Sequence, residues 1–214
     1  VSVEWKKEPI LYVDTETTGV DPEKDRIVEL AMALMMDGDV RWSYVTIVNP
    51  EMPIPEGASK VHKIWDADVK DAPTFAEIME MVGLCMDYRI CGAYNAPFDK
   101  NIIKGEFSRC GVDFEKDFWI DPLVVARHFI TVRAKGVHQL ENVASRLGID
   151  LGDAAHTAAA DTIAAGKVMH YYADKLPDDL DAYIEMQNLW SEQQWADWVR
   201  YCTRVGRDPG KRYR

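Results

Sequence analysis

The 214-residue chain has no run of eighteen apolar residues, so no membrane-spanning helix is expected. It has four cysteines, Cys85, Cys91, Cys110 and Cys202, and no Cys-x-x-Cys pair. Neither a zinc site nor a disulfide framework follows from that spacing; buried, reduced thiols in a cytoplasmic protein do. Val1–Pro9 places Glu4, Lys6, Lys7 and Glu8 around Trp5 and lacks the apolar core of a secretory signal. Positive charge is also short: the net charge of −11 argues against a protein that coats duplex nucleic acid by bulk electrostatics. It leaves open an enzyme that grips a short strand end, where bound metal ions supply local positive charge. Internal repeats and low-complexity segments are absent. With 47% hydrophobic residues, the chain has the makings of one globular domain of ordinary core size with an appendage.

The remaining residues are organised around Ile10–Gly19. Four apolar residues, Ile10 to Val13, run directly into Asp14 and Glu16. Such a run reads as a buried strand. Alternate strand residues share a face, so the two carboxylates project together. Carboxylates held that close repel one another, and a hard divalent cation relieves the repulsion. On these residues alone, a strand ending in a polar loop is the better explanation of the pattern.

Ile27–Met36 is a second apolar run, Asp37-Gly38 is a hairpin turn signal, and Val40–Val48 returns as a third strand with Trp42, Tyr44, Thr46 and Val48 on one face. These three strands form an antiparallel meander. A short helix is predicted over Ala58–Ile64, and a longer one from Thr74 to about Asp87, with Thr74 and Glu77 as a capping box. A short strand at Arg89–Ala93 leads into a helix opened by Pro97, and another at Phe118–Ile120 leads into a helix capped by Asp121, with Leu123, Val124, Ala126 and Phe129 facing the core. A mildly basic loop holds Arg133 and Lys135; helices over Leu140–Leu147 and Ala155–Ala173 follow. The fold class is therefore α/β: a mixed central sheet, meander plus parallel strands, flanked by helices. The division expected is residues 1–176 as the main domain and 177–214 as a helical extension. That extension has one or two amphipathic helices carrying Trp190, Trp195 and Trp198, then a basic tail with Arg204, Arg207, Lys211, Arg212 and Arg214. The tryptophans either form a homodimer face or cover the domain's own core, and the tail either binds backbone phosphate or is simply exposed.

Two further acids stand at element ends. Asp99 lies where a strand turns into a helix, and Asp161 lies early in the long helix among Ala158–Ala160, Ala164 and Ala165. Small neighbours let that helix approach the sheet closely. Ligand sites in α/β sheets gather at strand ends and helix starts, although a lone helical aspartate is more often a solvated group. His156 precedes Asp161 by five residues, about 500° of helix, so the two point roughly 140° apart if both are helical. His156 is better placed in the loop before the helix, with a near-neutral pKa suited to general-base work. A solvent-exposed histidine beside the helix start is the plain alternative.

In order and spacing, three groups of residues resemble the motifs of the DnaQ-like, DEDDh-type 3′–5′ exonucleases, over about Ile10–Ala173: Asp14-Thr-Glu16 with Thr17, Thr18 and Gly19; Asn95-Ala-Pro-Phe-Asp99; and His156-Thr-Ala-Ala-Ala-Asp161. Pro53-Ile54-Pro55 with Val61-His62 resembles the family's substrate-side helix, and Asp121 to Arg127 its Asp-x-x-x-x-Ala-Arg helix. The resemblance implies a ribonuclease H-like fold and hydrolysis of phosphodiesters with two Mg²⁺ or Mn²⁺ ions, releasing nucleoside 5′-monophosphates from single-stranded 3′ ends. It implies that Asp14, Glu16 and Asp161 hold one ion, that Asp14 bridges to the second, which Asp99 supports through water, and that His156 is the base. It also implies that Thr17, Thr18 and the amides after Glu16 hold the terminal 3′-hydroxyl, that Val61 and His62 flank the terminal base or sugar, and that Asn95 orients the site. His62 fits a core histidine equally well. The chain departs from the family at Tyr94, often His, and at Lys63, often Gly, which leaves substrate preference open. Single-stranded DNA is the favoured substrate. RNA trimming and a non-catalytic binding module of the same fold are the alternatives.

Overall fold

The computed structural model describes residues 3–87, 90–116, 118–132, 134–150 and 157–212. After a short 3₁₀ turn at Trp5–Lys7 come β1 (Ile10–Thr17), β2 (Ile27–Met36) and β3 (Asp39–Ile47). They pair antiparallel as the meander predicted from the sequence. Asp37 and Gly38 both have positive φ, 55° and 80°, the backbone of a tight two-residue hairpin turn. Next come α1 (Glu56–His62), α2 (Asp66–Val69) and α3 (Phe75–Asp87), then β4 (Ile90–Gly92), α4 (Ala96–Arg109), β5 (Trp119–Ile120), α5 (Pro122–Phe129), α6 (Leu140–Leu147), α7 (Ala158–Tyr172) and α8 (Leu180–Val205). Strands β4 and β5 pair parallel, so the sheet runs β3-β2-β1-β4-β5 with β1 central.

A central strand buried on both faces separates two cores. Ile10 and Tyr12 pack into one cluster with Val125, Val168 and Tyr183; Leu11 and Val13 pack into the other with Phe75, Ile102 and Ile103. Each large side chain so buried contributes about 1.5–3 kcal/mol. Asp14 and Glu16 continue the Tyr12 series and so face α7, whereas Thr15 faces α4. Helix α7 can approach because its contact face is small: a Cβ on Gly166 would stand 2.2 Å from Met35 Sδ and 3.0 Å from the Tyr12 ring. That close approach is the one expected of the alanine-rich helix, and it sets Asp161 against the sheet.

The structure corrects several local expectations. Helix α7 is described from Ala158, where Thr157 caps it by accepting the Ala160 N–H; Ala155 lies outside the described residues. Only half of the Thr74–Glu77 box forms. The Glu77 carboxylate takes the Thr74 N–H at 2.8 Å, but the Thr74 hydroxyl donates to the same carboxylate instead of capping an amide. Strand β3 does not alternate cleanly, since it is an edge strand exposed on both faces and Trp42 stays open beside Tyr44. Phe129 is half-buried, whereas Leu123, Val124 and Ala126 are buried. None of the four cysteines is in a disulfide; Cys91 and Cys202 are buried, and Cys85 and Cys110 are half-buried. Arg133 lies outside the described residues. The C-terminal stretch is one continuous helix, capped by Asp179, whose Leu180 and Tyr183 join the core of Trp5 and Tyr12. No helix among the described residues is long and apolar enough to cross a membrane.

Candidate active site

The four acids singled out from the sequence meet at the C-terminal end of β1. Asp14 and Glu16 come from the strand, Asp99 from the first turn of α4, and Asp161 from the first turn of α7. Burial and then the neighbouring charges of Asp99, Glu16, Asp161 and Glu29 push the Asp14 carboxyl well above the ordinary range. Burial, then Glu29 and Asp161, raises Glu16 to about 7. Asp99 is only 3% exposed, and burial lifts it to about 7 although two hydrogen bonds from Thr15 pull the other way.

Those Thr15 bonds explain why Asp99 is there at all. Pairing between β1 and β4 ends at Tyr12 and Gly92. Beyond it the Thr15 N–H has no strand to bond, and a buried amide left unbonded is costly. Asp99 Oδ1 accepts that N–H at 3.0 Å and the Thr15 hydroxyl at 2.8 Å. The start of α4 is thus pinned to the edge of β1. Asn95 just before it has φ of 75°, a left-handed conformation Asn tolerates, and its N–H donates to Asp121 Oδ1 at 3.0 Å. Asn95 is exposed. Asp121 also caps α5 through the Leu123 N–H, as expected, and its burial raises it to about 6.

Glu29 is a carboxylate that sequence reasoning missed. It sits directly across from Glu16 in the β1–β2 register, so the two side chains share a face. Burial raises its carboxyl as well. The signal available was a lone acid interrupting the apolar run Ile27–Met36, but its partner depends on a register shifted between Glu16 and Thr17.

The loop after Glu16 is tied from within. The Thr17 hydroxyl donates to the Gly19 carbonyl at 2.5 Å. The Thr18 N–H bonds the Arg26 carbonyl, and its hydroxyl donates to Asp25 and accepts the Arg26 N–H. Both threonines are buried. Their hydroxyls therefore shape the loop. Arg26 is fixed in turn by Glu106 of α4, whose carboxylate takes the Arg26 Nε at 2.9 and 3.0 Å and the Ile27 N–H at 3.0 Å. Gly19 lies so close to Asp25 that a Cβ would fall 2.4 Å from its carboxylate.

Helix α1 flanks this loop. Val61 is 77% exposed. His62 is half-buried; its Nδ1 accepts the Ile64 N–H at 3.1 Å, which leaves the proton on Nε2, and Nε2 is buried without a hydrogen-bond partner. Burial lowers the pKa of His62, and the neighbouring backbone of Thr17 partly opposes the shift. His62 is thus neither a satisfied core histidine nor a fully exposed one. Lys63 ends α1 at φ 65°, the conformation that glycine adopts most easily, so the departure from the family's glycine is absorbed at a strained backbone position. Tyr94 donates its hydroxyl to the His138 carbonyl at 2.7 Å and acts as a brace. His156 lies outside the described residues.

The donor set is hard oxygen throughout, which fits Mg²⁺ or Mn²⁺ and not a thiolate metal. Among the described residues no three of these side chains are already drawn to the spacing of ligands around one ion.

A mixed five-stranded sheet of this order, flanked by helices, is an α/β fold of the ribonuclease H type. The chain belongs to the exonuclease family, which matches residues 11–169, and to its DnaQ-like group. It is 33% identical over 158 residues to a DNA polymerase III subunit epsilon-like protein of Rhodobacter capsulatus, covering 72% of this chain and 22% of that protein. It is 28% identical over 148 residues to the DNA polymerase III subunit epsilon of Treponema pallidum, covering 69% and 68% respectively. The fold is also that of E. coli exonuclease I in complex with a dA16 oligonucleotide: TM-score 0.68, 20% identity, 78% of this chain and 41% of that one. The chain thus spans about a fifth of the length of the Rhodobacter protein.

Proposed function

We propose that the chain is a divalent-metal-dependent 3′–5′ exonuclease acting on single-stranded DNA and releasing nucleoside 5′-monophosphates. The observation that carries the reading is the meeting of Asp14, Glu16, Asp99 and Asp161 at one end of β1, where burial and neighbouring charges raise the Asp14, Glu16 and Asp99 carboxyls above their ordinary range. Such an arrangement is unfavourable for folding and is retained where it serves chemistry. Asp14, Glu16 and Asp161 would hold one Mg²⁺ or Mn²⁺ ion, with Asp14 shared and Asp99 supporting a second. When bound, these ions would polarise the scissile phosphate, acidify the attacking water and stabilise the departing 3′-oxygen.

The chain's own groups supply the rest. His156 is assigned as the base that takes the proton from the attacking water, on the strength of its place in the third motif. Thr17 and Thr18 fix the loop whose backbone borders the terminal sugar. Val61 offers an exposed apolar surface to the terminal base, and His62 Nε2 offers a donor beside the Thr17 backbone. Asn95, held by Asp121, would orient the site. DNA is favoured over RNA because the exonuclease I structures that share the fold include complexes with DNA oligonucleotides.

The test is a side-by-side digestion of single-stranded DNA, duplex DNA, long RNA and dinucleotides with Mn²⁺. Mononucleotide release from single-stranded DNA, lost in Asp14→Asn and on chelation, is expected. Preferential RNA or dinucleotide cleavage would move the substrate to the alternative class. Intact strands of every kind would refute the enzyme reading in favour of a binding module.

A further inference from the structure

Helix α8 begins beside the chain start, where the Leu180 N–H bonds the Val3 carbonyl and Tyr183 packs 5.0 Å from the Trp5 ring. Seven residues on, Gln187 caps the C-terminal end of β5: its Oε1 accepts the Asp121 N–H at 2.7 Å and its Nε2 donates to the Trp119 carbonyl at 2.9 Å. Strand β5 is parallel to β4, and β4 to β1, so this is the end of the sheet at which Asp14 and Glu16 stand. From Gln187 the helix continues to Val205, about 27 Å further at 1.5 Å per residue.

The far end of α8 is unlike the rest of the molecule. In a chain of net charge −11, residues 198–212 carry Arg200, Arg204, Arg207, Lys211 and Arg212 against Asp208 alone. Trp198 and Tyr201 stack at 5.7 Å. The Arg207 guanidinium lies 5.3 Å from the Trp198 ring centre, and that of Arg204 lies 5.7 Å from Tyr201. Gly206, at φ 69°, reverses the chain, and the returning tail is pinned by Trp198 Nε1 to the Pro209 carbonyl and by Arg212 to Ser191. Lys211 then comes near enough to Asp21, in the loop after β1, to help hold its carboxyl below the ordinary range, behind the larger effect of Lys24.

A guanidinium stacked on an aromatic ring keeps its N–H edges free for an anion, and it loses less freedom on binding because the ring already orients it. Arg200 is committed to Asp197. Among the described residues Arg204 and Arg207 meet no carboxylate. Resting on the exonuclease reading above, we infer that Arg204, Arg207 and Lys211 form a second phosphate-binding surface, which holds the single DNA strand upstream of the 3′ end being cut. Positive charge here complements a polyanion that the acidic body repels. Lys211, near Asp21 in the loop after β1, puts one edge of this surface on the side where a strand would leave the site.

The experiment compares fluorescence anisotropy of 5′-labelled oligothymidylates of about four and about twenty nucleotides, in chelator, for the wild-type chain and an Arg204→Gln/Arg207→Gln/Lys211→Gln variant with an unchanged melting temperature. In wild type the longer strand binds more tightly. In the variant that advantage falls about tenfold or more at low salt, and the slope of log K against log salt becomes shallower by about 2, for three phosphates on a single strand. An Arg204→Lys/Arg207→Lys variant keeps the slope. An undiminished advantage for the longer strand, or an unaltered slope, overturns the inference. A chain that binds the longer strand through these residues yet cuts no strand with Mn²⁺ would refute the exonuclease reading and leave this one standing.

Discussion

In the metal-free protein, the site should make stability fall as pH rises. Glu16 and Asp99 ionise near 7 in the folded chain, against ordinary values of 4.5 and 3.8. Between those limits the folded state holds more protons than the unfolded one, so stability declines with pH in that window and levels off above about 7. From pH 5 to pH 8 a carboxyl that keeps its proton for two extra units forfeits at most about 2.7 kcal/mol. The two groups share one field and Glu16 is partly open to water, which screens it, so the whole site is worth about 3 kcal/mol. For a chain of this size that is a drop of about 6–12 °C in melting temperature. The assay is thermal denaturation in chelator at pH 5, 6, 7 and 8. Self-repulsion of a chain with net charge −11 works in the same direction. The control is therefore Asp99→Asn, which keeps an oxygen for the Thr15 hydrogen bonds and removes the charge; it should abolish about half of the decline. Millimolar Mn²⁺ at pH 8 should restore the lost stability by binding only the folded state. A melting temperature that is level or rising from pH 5 to pH 8, or an Asp99→Asn variant with the full decline, would refute the reasoning.

Two other substitutions test the supports of the site. Glu106→Gln removes the closer of the two carboxylates on Arg26, leaving only the exposed Glu51 at 3.4 Å, and should cost about 2 kcal/mol in urea denaturation; a loss below about 0.5 kcal/mol would show that the pair is not what holds the loop to α4. In Gly105→Ala the new Cβ would stand 2.5 Å from the Pro22 carbonyl oxygen, so the loop after β1 must move off α4. A cost of about 1–3 kcal/mol and a reduced hydrolysis rate are expected. Gly57→Ala, where a Cβ meets nothing, is the comparison, and equal behaviour of the two variants would dismiss the steric account.

What the sequence made legible followed from periodicity. Asp14 and Glu16 share a face because a strand repeats every two residues, and Asp37-Gly38 made the hairpin because both positions take positive φ. What it hid depended on where partners stop. Asp99 was recognisable as an acid at a helix start, but its bond to Thr15 exists only because β4 ends at Gly92, short of the level of Thr15. Glu29 faces Glu16 only in a register that shifts one residue later, and no periodicity within β2 alone announces a shift in its pairing with β1.

The C-terminal tryptophans failed to form a helical stripe for a related reason. A stripe appears when one face of a helix meets one surface. Here Trp190 stacks on His128 at 3.7 Å, whereas Trp198 holds the Pro209 carbonyl and the Arg207 guanidinium. These two rings serve different partners, so their spacing encodes no single contact surface. The sequence therefore left one or two helices open, and the structure has one of 26 residues. Its first half is held by the core and its second half by the tail that folds back on it. The irregular spacing marks that change of partner, from the core beside the sheet to the basic segment that folds back on the helix.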